Sequence, residues 1–508
     1  MRQLTSLDAQ FLALETRRQT GHVGSVAILD PATTASGTLT LADPEALITE
    51  RLPLLPPLRW RLRAVPLGLD YPYWVDDADF DLHFHVREIG LPVPGSDEQL
   101  AEQVARIVSR PLDRGRPLWE LYLISGLASG NVAMLTKIHH AVIDGLSGAE
   151  ILGLLLDLTP EIRTIEAAGP WGDNAPVPGD LGMLVQGLVG AARYPLRALS
   201  ALPSALPNIE ETQFKVIPGV ASLGRLVNRA QHALTRHDGP VQHTHLVAPK
   251  TSFSGRISAH RRFTFGQLAL ADVKTIKNAY GYTVNDVIVS ICAGAVRRWL
   301  IAHDELPDDP LVAQIPVSVR TQEQIGTYGN QIMLMAAALL TNIADPVERL
   351  ARTHDALGDM KERHRALPAS LLADANHFIP PAVFSRAARL TFGIATSRPG
   401  RPVWNLVISN VPGPQFPLYL AGARLDANYP VSVITHGMGL NITVMSYMGH
   451  LDFGIVADRE QMPDVALLMG WLREELASLL AAVAGEAPPA VRKPTRRRAR
   501  PKRPTPAA

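Results

Sequence analysis

The 508-residue chain has a single cysteine, Cys292, which excludes an internal disulfide framework and any metal site built from cysteines. It has no long unbroken apolar run. Its longest uncharged stretches, Pro402–Ala423 and Ala427–Leu451, are interrupted by Gly, Pro, Asn or His and read as strands and turns. No apolar stretch of signal-peptide length precedes Asp8 and Glu15. Gly-x-Ser-x-Gly, His-Glu-x-x-His and a Walker-type Gly-Lys-Ser/Thr are all missing, which disfavours an ordinary α/β-hydrolase, a zinc protease and a P-loop enzyme. No internal repeat is evident. These absences lead us to expect a cytoplasmic protein that is not integral to a membrane.

Charge of one sign is scarce overall, with 49 basic against 48 acidic residues, but the balance is uneven. The tail Val491–Ala508 holds eight basic residues and no acidic one, so the body carries 41 against 48, a net −7. A globular nucleic-acid binder concentrates basic charge on its folded face, so no nucleic-acid partner is expected. Apolar residues make up 46%, enough for a large core.

Up to about Thr159, short strands and helices alternate. His22–Leu29, Trp119–Ile124 and Val132–His139 read as strands, whereas Leu100, Val104, Ile107 and Val108 recur at helical spacing. Prolines then cluster, from Pro170 to Pro218, and the helical patterns fragment. Beyond Arg262, helices are expected at Leu268–Ala279, Val284–His303, Pro346–His364 and Val465–Ala482. Strands are expected at Leu311–Val319, Gln331–Leu340, Val403–Ser409, Val431–Thr435, Asn441–Tyr447 and Leu451–Val456. The reading is α/β (α+β), two halves each with a mixed sheet and flanking helices. The halves span 1–160 and 256–484; a linker with helical pieces spans 161–255, and a disordered basic tail 485–508.

The chemistry concentrates in His139-His140-Ala141-Val142-Ile143-Asp144-Gly145, where an apolar strand delivers two histidines and Asp-Gly turns the chain into a helix. Strand alternation sends consecutive side chains to opposite faces, so the two histidines cannot share one job. A neutral imidazole is the natural base for a hydroxyl near neutral pH. Asp144, before a turn glycine, can bond its own loop or pair with an arginine. The bland alternative is a buried histidine pair beside an ordinary turn.

This segment resembles the His-His-x-x-x-Asp-Gly motif of the coenzyme-A-dependent acyltransferase superfamily. Four further segments resemble its bacterial wax ester synthase/diacylglycerol acyltransferase branch. They are Leu7–Phe11 with His22-Val23-Gly24, Pro111–Arg114 with Pro117–Glu120, Thr283–Val287, and Ser409–Pro414. The resemblance covers about Leu4 to Leu479. It implies two similar acyltransferase-type halves and transfer of a long-chain acyl group from acyl-CoA to diacylglycerol or a fatty alcohol. His140 would be the proton acceptor, His139 and Asp144 its supports, and Gly145 the turn residue. Trp119, Asn285 and Asp286 would contribute to substrate binding. No metal or other cofactor is implied, and the insoluble substrates imply a peripheral place on a membrane or lipid droplet. Two other functions remain open: a catalytically silent lipid-binding member of the same fold, and an acyltransferase with a different acceptor.

Other features are weighed against plainer readings. Cys292 lies in an apolar helical run and reads as core rather than nucleophile. His83 and His85 alternate as on a strand, giving either a polar face or a metal pair lacking a third ligand. Asn285 and Asp286 open a helix, where Thr283-x-x-Asp286 resembles a capping box. Trp119 either lines a channel or simply packs. The Leu181–Ala192 stripe is either a helix laid on the core or one dipping into a lipid surface.

Overall fold

The computed structural model describes residues 2–4, 6–143, 153–164, 179, 182–185, 247–318, 332–365 and 402–485. In the first part, β1 (Arg2–Gln3), α1 (Ser6–Leu14), β2 (His22–Asp30), α2 (Ala42–Arg51), β3 (Trp60–Arg63), β4 (Tyr73–Asp76) and α3 (Leu82–His85) come first. They are followed by β5 (Val86–Gly90), α4 (Asp97–Val108), β6 (Trp119–Ser125), β7 (Val132–His139) and α5 (His140–Ile143). The second part runs β8 (Arg261–Ala269), α6 (Leu270–Tyr280), α7 (Val284–Ala302), β9 (Leu311–Ser318), β10 (Ile332–Leu339) and α8 (Pro346–Arg365). It ends with β11 (Leu406–Val411), β12 (Tyr419–Leu420), β13 (Ala423–Val431), β14 (Leu440–Tyr447), β15 (His450–Asp458) and α9 (Leu467–Ala484).

Local chemistry explains where the helices begin. Ser96 and Gln99 form a reciprocal capping box on α4, and Thr283 and Asp286 form one on α7. α7 is then buried nearly all round, from Val287 to Val296, because it is the central helix of the second core. Cys292 sits there fully buried, and burial pushes its thiol pKa up.

Two six-stranded mixed sheets result, ordered β12-β13-β2-β7-β6-β5 and β10-β9-β11-β14-β15-β8. The first is antiparallel except at β5–β6; the second is parallel at β9–β11 and β11–β14. The segment Tyr419–Val431 belongs by sequence order to the second part, yet β13 pairs with β2 in the first sheet. Its outer face crosses β15 so closely that a Cβ on Gly454 would lie 1.7 Å from the Pro430 carbonyl oxygen. Asn428 also donates its backbone N–H to the buried Asp452 carboxylate on β15 at 2.7 Å. The two sheets are thus tied where β13 of the first packs across β15 of the second.

Several expected elements move. The strand expected at Val431–Thr435 is β13, ending where that one was to begin. Its pattern was hidden by Pro430 and by a register irregularity between Leu425 and Ala427. The helix expected from Leu268 starts at Leu270, because Leu268 and Ala269 complete β8. The His83/His85 segment is a helical turn rather than a strand, since Asp81 accepts the His83 N–H and caps it.

Candidate active site

β7 runs between β2 and β6 and delivers the paired histidines to the end of the first sheet. His139 stands across from His22 in the β2–β7 register. Its ring is 1% exposed; Nδ1 accepts the Ala141 N–H at 3.1 Å and Nε2 lies 3.8 Å from Glu15 Oε1. His140 opens α5 and is half-buried. Its N–H donates to the Gly21 carbonyl at 2.8 Å, and its ring stacks on Phe11 with centroids 4.1 Å apart and planes 14° apart. Ala141 and Val142 anchor α5 in a buried cluster with Leu4, Leu12, Trp74, Leu112 and Leu118. α1 therefore covers the histidine turn from one side.

Burial governs the electrostatics. An imidazolium loses hydration inside the protein, so its pKa falls. For His139 burial outweighs the opposing pull of Glu15 and brings the pKa down to about 4. Burial likewise lowers His140, against a smaller raising effect of its own backbone. His22, hydrogen-bonded to the Val108 carbonyl at 2.8 Å, is lowered by burial and by Lys137 nearby. Desolvation thus favours the neutral form of the His140 ring.

The remaining expected residues are distributed differently. Trp119 pairs in register with Ile138, so it occupies the sheet face opposite His139. It is buried, its Nε1 donates to the Leu58 carbonyl at 2.6 Å, and its ring stacks on His85 at 4.5 Å. His85 is buried, whereas His83 is exposed beside Glu45 at 3.0 Å. Asp286 is buried in the second part, accepting the Thr283 N–H at 2.9 Å, with His354 Nδ1 at 2.8 Å. Asn285 meets Asn410 of β11 at 3.4 Å, which links the Thr283–Val287 and Ser409–Pro414 segments. Among the described residues, the bonds of Asn285 and Asp286 stay within that part, and none reaches the histidine turn. Asp144, Gly145, most of the Leu181–Ala192 stripe and the basic tail lie outside the described residues.

Glu15, Gly21 and Arg114, to which the sequence reading gave no role, gather against the histidines. Their signal was indirect: Arg114 ends one resembling segment, and Glu15 and Gly21 fall between the two pieces of another. Among the described residues no group of three potential metal ligands comes together.

Comparison with known proteins gives a consistent picture. A family model described as the wax ester synthase/diacylglycerol acyltransferase catalytic domain matches residues 4–288, and its C-terminal domain model matches 328–480. A putative diacylglycerol O-acyltransferase of Mycobacterium tuberculosis is 36% identical, over 94% of this chain and 90% of that protein. The O-acyltransferase WSD of Acinetobacter baylyi is 31% identical over 94% and 96%. The solved wax ester synthase/diacylglycerol acyltransferase of Marinobacter aquaeolei VT8 superposes with TM-score 0.67 at 28% identity, covering 96% of this chain and all of that one. A condensation domain of the calcium-dependent antibiotic synthetase shares the fold, with TM-score 0.53 at 15% identity.

Proposed function

The chain belongs to the wax ester synthase/diacylglycerol acyltransferase family and is an O-acyltransferase, and from this we propose that His140 is the general base of its transfer step. The donor is a long-chain acyl-CoA, and the acceptor is diacylglycerol, for which relatives are named, or a long-chain fatty alcohol, which formation of a wax ester requires. One observation carries the reading: a half-buried imidazole stacked on Phe11 at the end of β7, in surroundings whose desolvation favours its neutral form.

The imidazole takes the acceptor hydroxyl proton while the oxygen attacks the thioester carbon. The tetrahedral intermediate then collapses, breaking the C–S bond. The thiolate leaves and recovers the proton from the imidazolium, so His140 returns to its neutral form. We assign this step no metal or redox cofactor, because a base, a thioester and a hydroxyl complete it. Stacking on Phe11 covers one face of the ring and fixes its plane.

We place the reaction at a lipid surface, where both substrates reside. Among the described residues no helix is long and apolar enough to cross a membrane, so this contact is peripheral. One experiment tests both points: labelled palmitoyl-CoA is supplied with diacylglycerol or hexadecanol in vesicles that are pelleted after the reaction. Wild-type protein should esterify the acceptor and pellet with the vesicles. His140→Ala should lose about 100- to 10,000-fold in rate. Residual activity above roughly a tenth of wild type would remove His140 as the base.

A further inference from the structure

Resting on the reading of His140 as the base, we infer that the Arg114–Glu15 ion pair is a positioning device for both histidines. Glu15 follows α1 directly, and its carboxylate is buried although that of most surface glutamates is not. Arg114 donates through Nε at 3.1 Å and Nη2 at 2.6 Å to the same oxygen, Oε2. Its Nη2 also reaches the Leu12 carbonyl at 2.7 Å, so the guanidinium holds the last turn of α1 together with the carboxylate.

With Oε2 held by Arg114, Oε1 faces the histidine turn. It accepts the Gly21 N–H at 3.1 Å and stands 3.8 Å from His139 Nε2. Two routes then lead from Glu15 to His140. Through the backbone, the Gly21 carbonyl accepts the His140 N–H at 2.8 Å. Through the side chain, His139 Nδ1 accepts the N–H of Ala141, the residue after His140. That acceptor role requires the Nδ1 lone pair, so the neutral His139 ring carries its proton on Nε2, which makes no hydrogen bond but lies 3.8 Å from the Glu15 carboxylate. The other tautomer would set two N–H groups against each other at Ala141, and a ring flip would put the Cδ2–H there and leave the Ala141 N–H without its acceptor.

Gly21 completes the arrangement, since a Cβ there would sit 2.7 Å from His139 Nε2. Glu15 thus holds the main chain of His140 through Gly21 on one side and, on the other, sets a negative charge 3.8 Å from the Nε2 of its neighbour. Arg114 and Glu15 act through the histidine turn and touch no reacting atom.

The test compares Glu15→Ala, Glu15→Gln, Arg114→Ala and their double variant in steady-state transfer with the full chain, alongside His140→Ala. Because a misplacement of about 1 Å costs about 100-fold, Glu15→Ala and Arg114→Ala should lower kcat about 10- to 100-fold, with KM for donor and acceptor within about twofold of wild type. Glu15→Gln, whose amide oxygen can still accept the Gly21 N–H, should lose less. The double variant should be no slower than Glu15→Ala alone, since both changes break one unit. Millimolar guanidinium should restore part of the kcat of Arg114→Ala, which a loss of packing alone would not allow.

The inference is overturned if Glu15→Gln and Arg114→Ala, folded by circular dichroism, keep kcat within about twofold of wild type, or if the two losses add in full in the double variant. If Glu15→Ala does not fold, those two milder variants decide. A fully active His140→Ala would instead overturn the assignment of the base.

Discussion

His139 should make folding acid-sensitive in a window set by its burial. Its pKa is brought down to about 4 in the folded chain, from an ordinary value of 6.5, chiefly because the ring is desolvated. Between those values the unfolded chain binds a proton at this site that the folded chain refuses. Stability is therefore present in full above pH 6.5, falls as the pH drops, and has no more to lose at this residue below pH 4. The slope is about 1.4 kcal/mol per pH unit, and the loss accumulates to about 3 kcal/mol across the window. Other histidines, buried His22 and half-buried His140, shift the same way, so the contribution must be isolated by difference. His139→Asn serves, because its amide oxygen can replace Nδ1 as acceptor for Ala141 without binding a proton. A pH-stat measurement of protons taken up on urea unfolding at about pH 5 should show about 0.9 more for wild type than for the variant. Equal uptake would refute the reasoning, because it would mean that His139 titrates alike in both states.

Gly21→Ala places a methyl 2.7 Å from His139 Nε2 while leaving the Gly21 carbonyl on His140, so the ring must move. It should cut kcat about 100-fold with an unchanged circular dichroism spectrum, and an unchanged kcat would show that the imidazole yields freely. Cys292 is fully buried with its thiol pKa pushed up by desolvation, so native protein should resist a thiol reagent and keep its activity. Stoichiometric labelling before unfolding, or inactivation by the reagent, would contradict its place in the core.

The sequence alone carried much of this architecture, for reasons that are local. β7 and α7 are long apolar runs with clear period and clean ends, so their bounds were legible within a residue or two. The histidine pair was legible because two histidines, an Asp-Gly turn and an apolar strand sit within a few residues of one another. The capping role of Asp286 was likewise written in Thr283-x-x-Asp286.

What only the tertiary structure decided depends on residues far apart in the chain. β13 reads weakly as a strand because its partners, β2 in the first sheet and β15 across its face, are supplied by other parts of the chain. The place of Trp119, buried opposite the His139 face with its indole N–H on the Leu58 carbonyl, was likewise set by the β6–β7 register and not by its own neighbours in sequence. Glu15 and Arg114 are 99 positions apart, and nothing in either neighbourhood announces an ion pair. Their partnership exists because α1 folds back over the histidine turn, where burial removes water and makes a carboxylate keep company with a guanidinium and a backbone N–H. Local pattern chose the elements and the histidine pair; desolvation and strand pairing at long range chose what surrounds them.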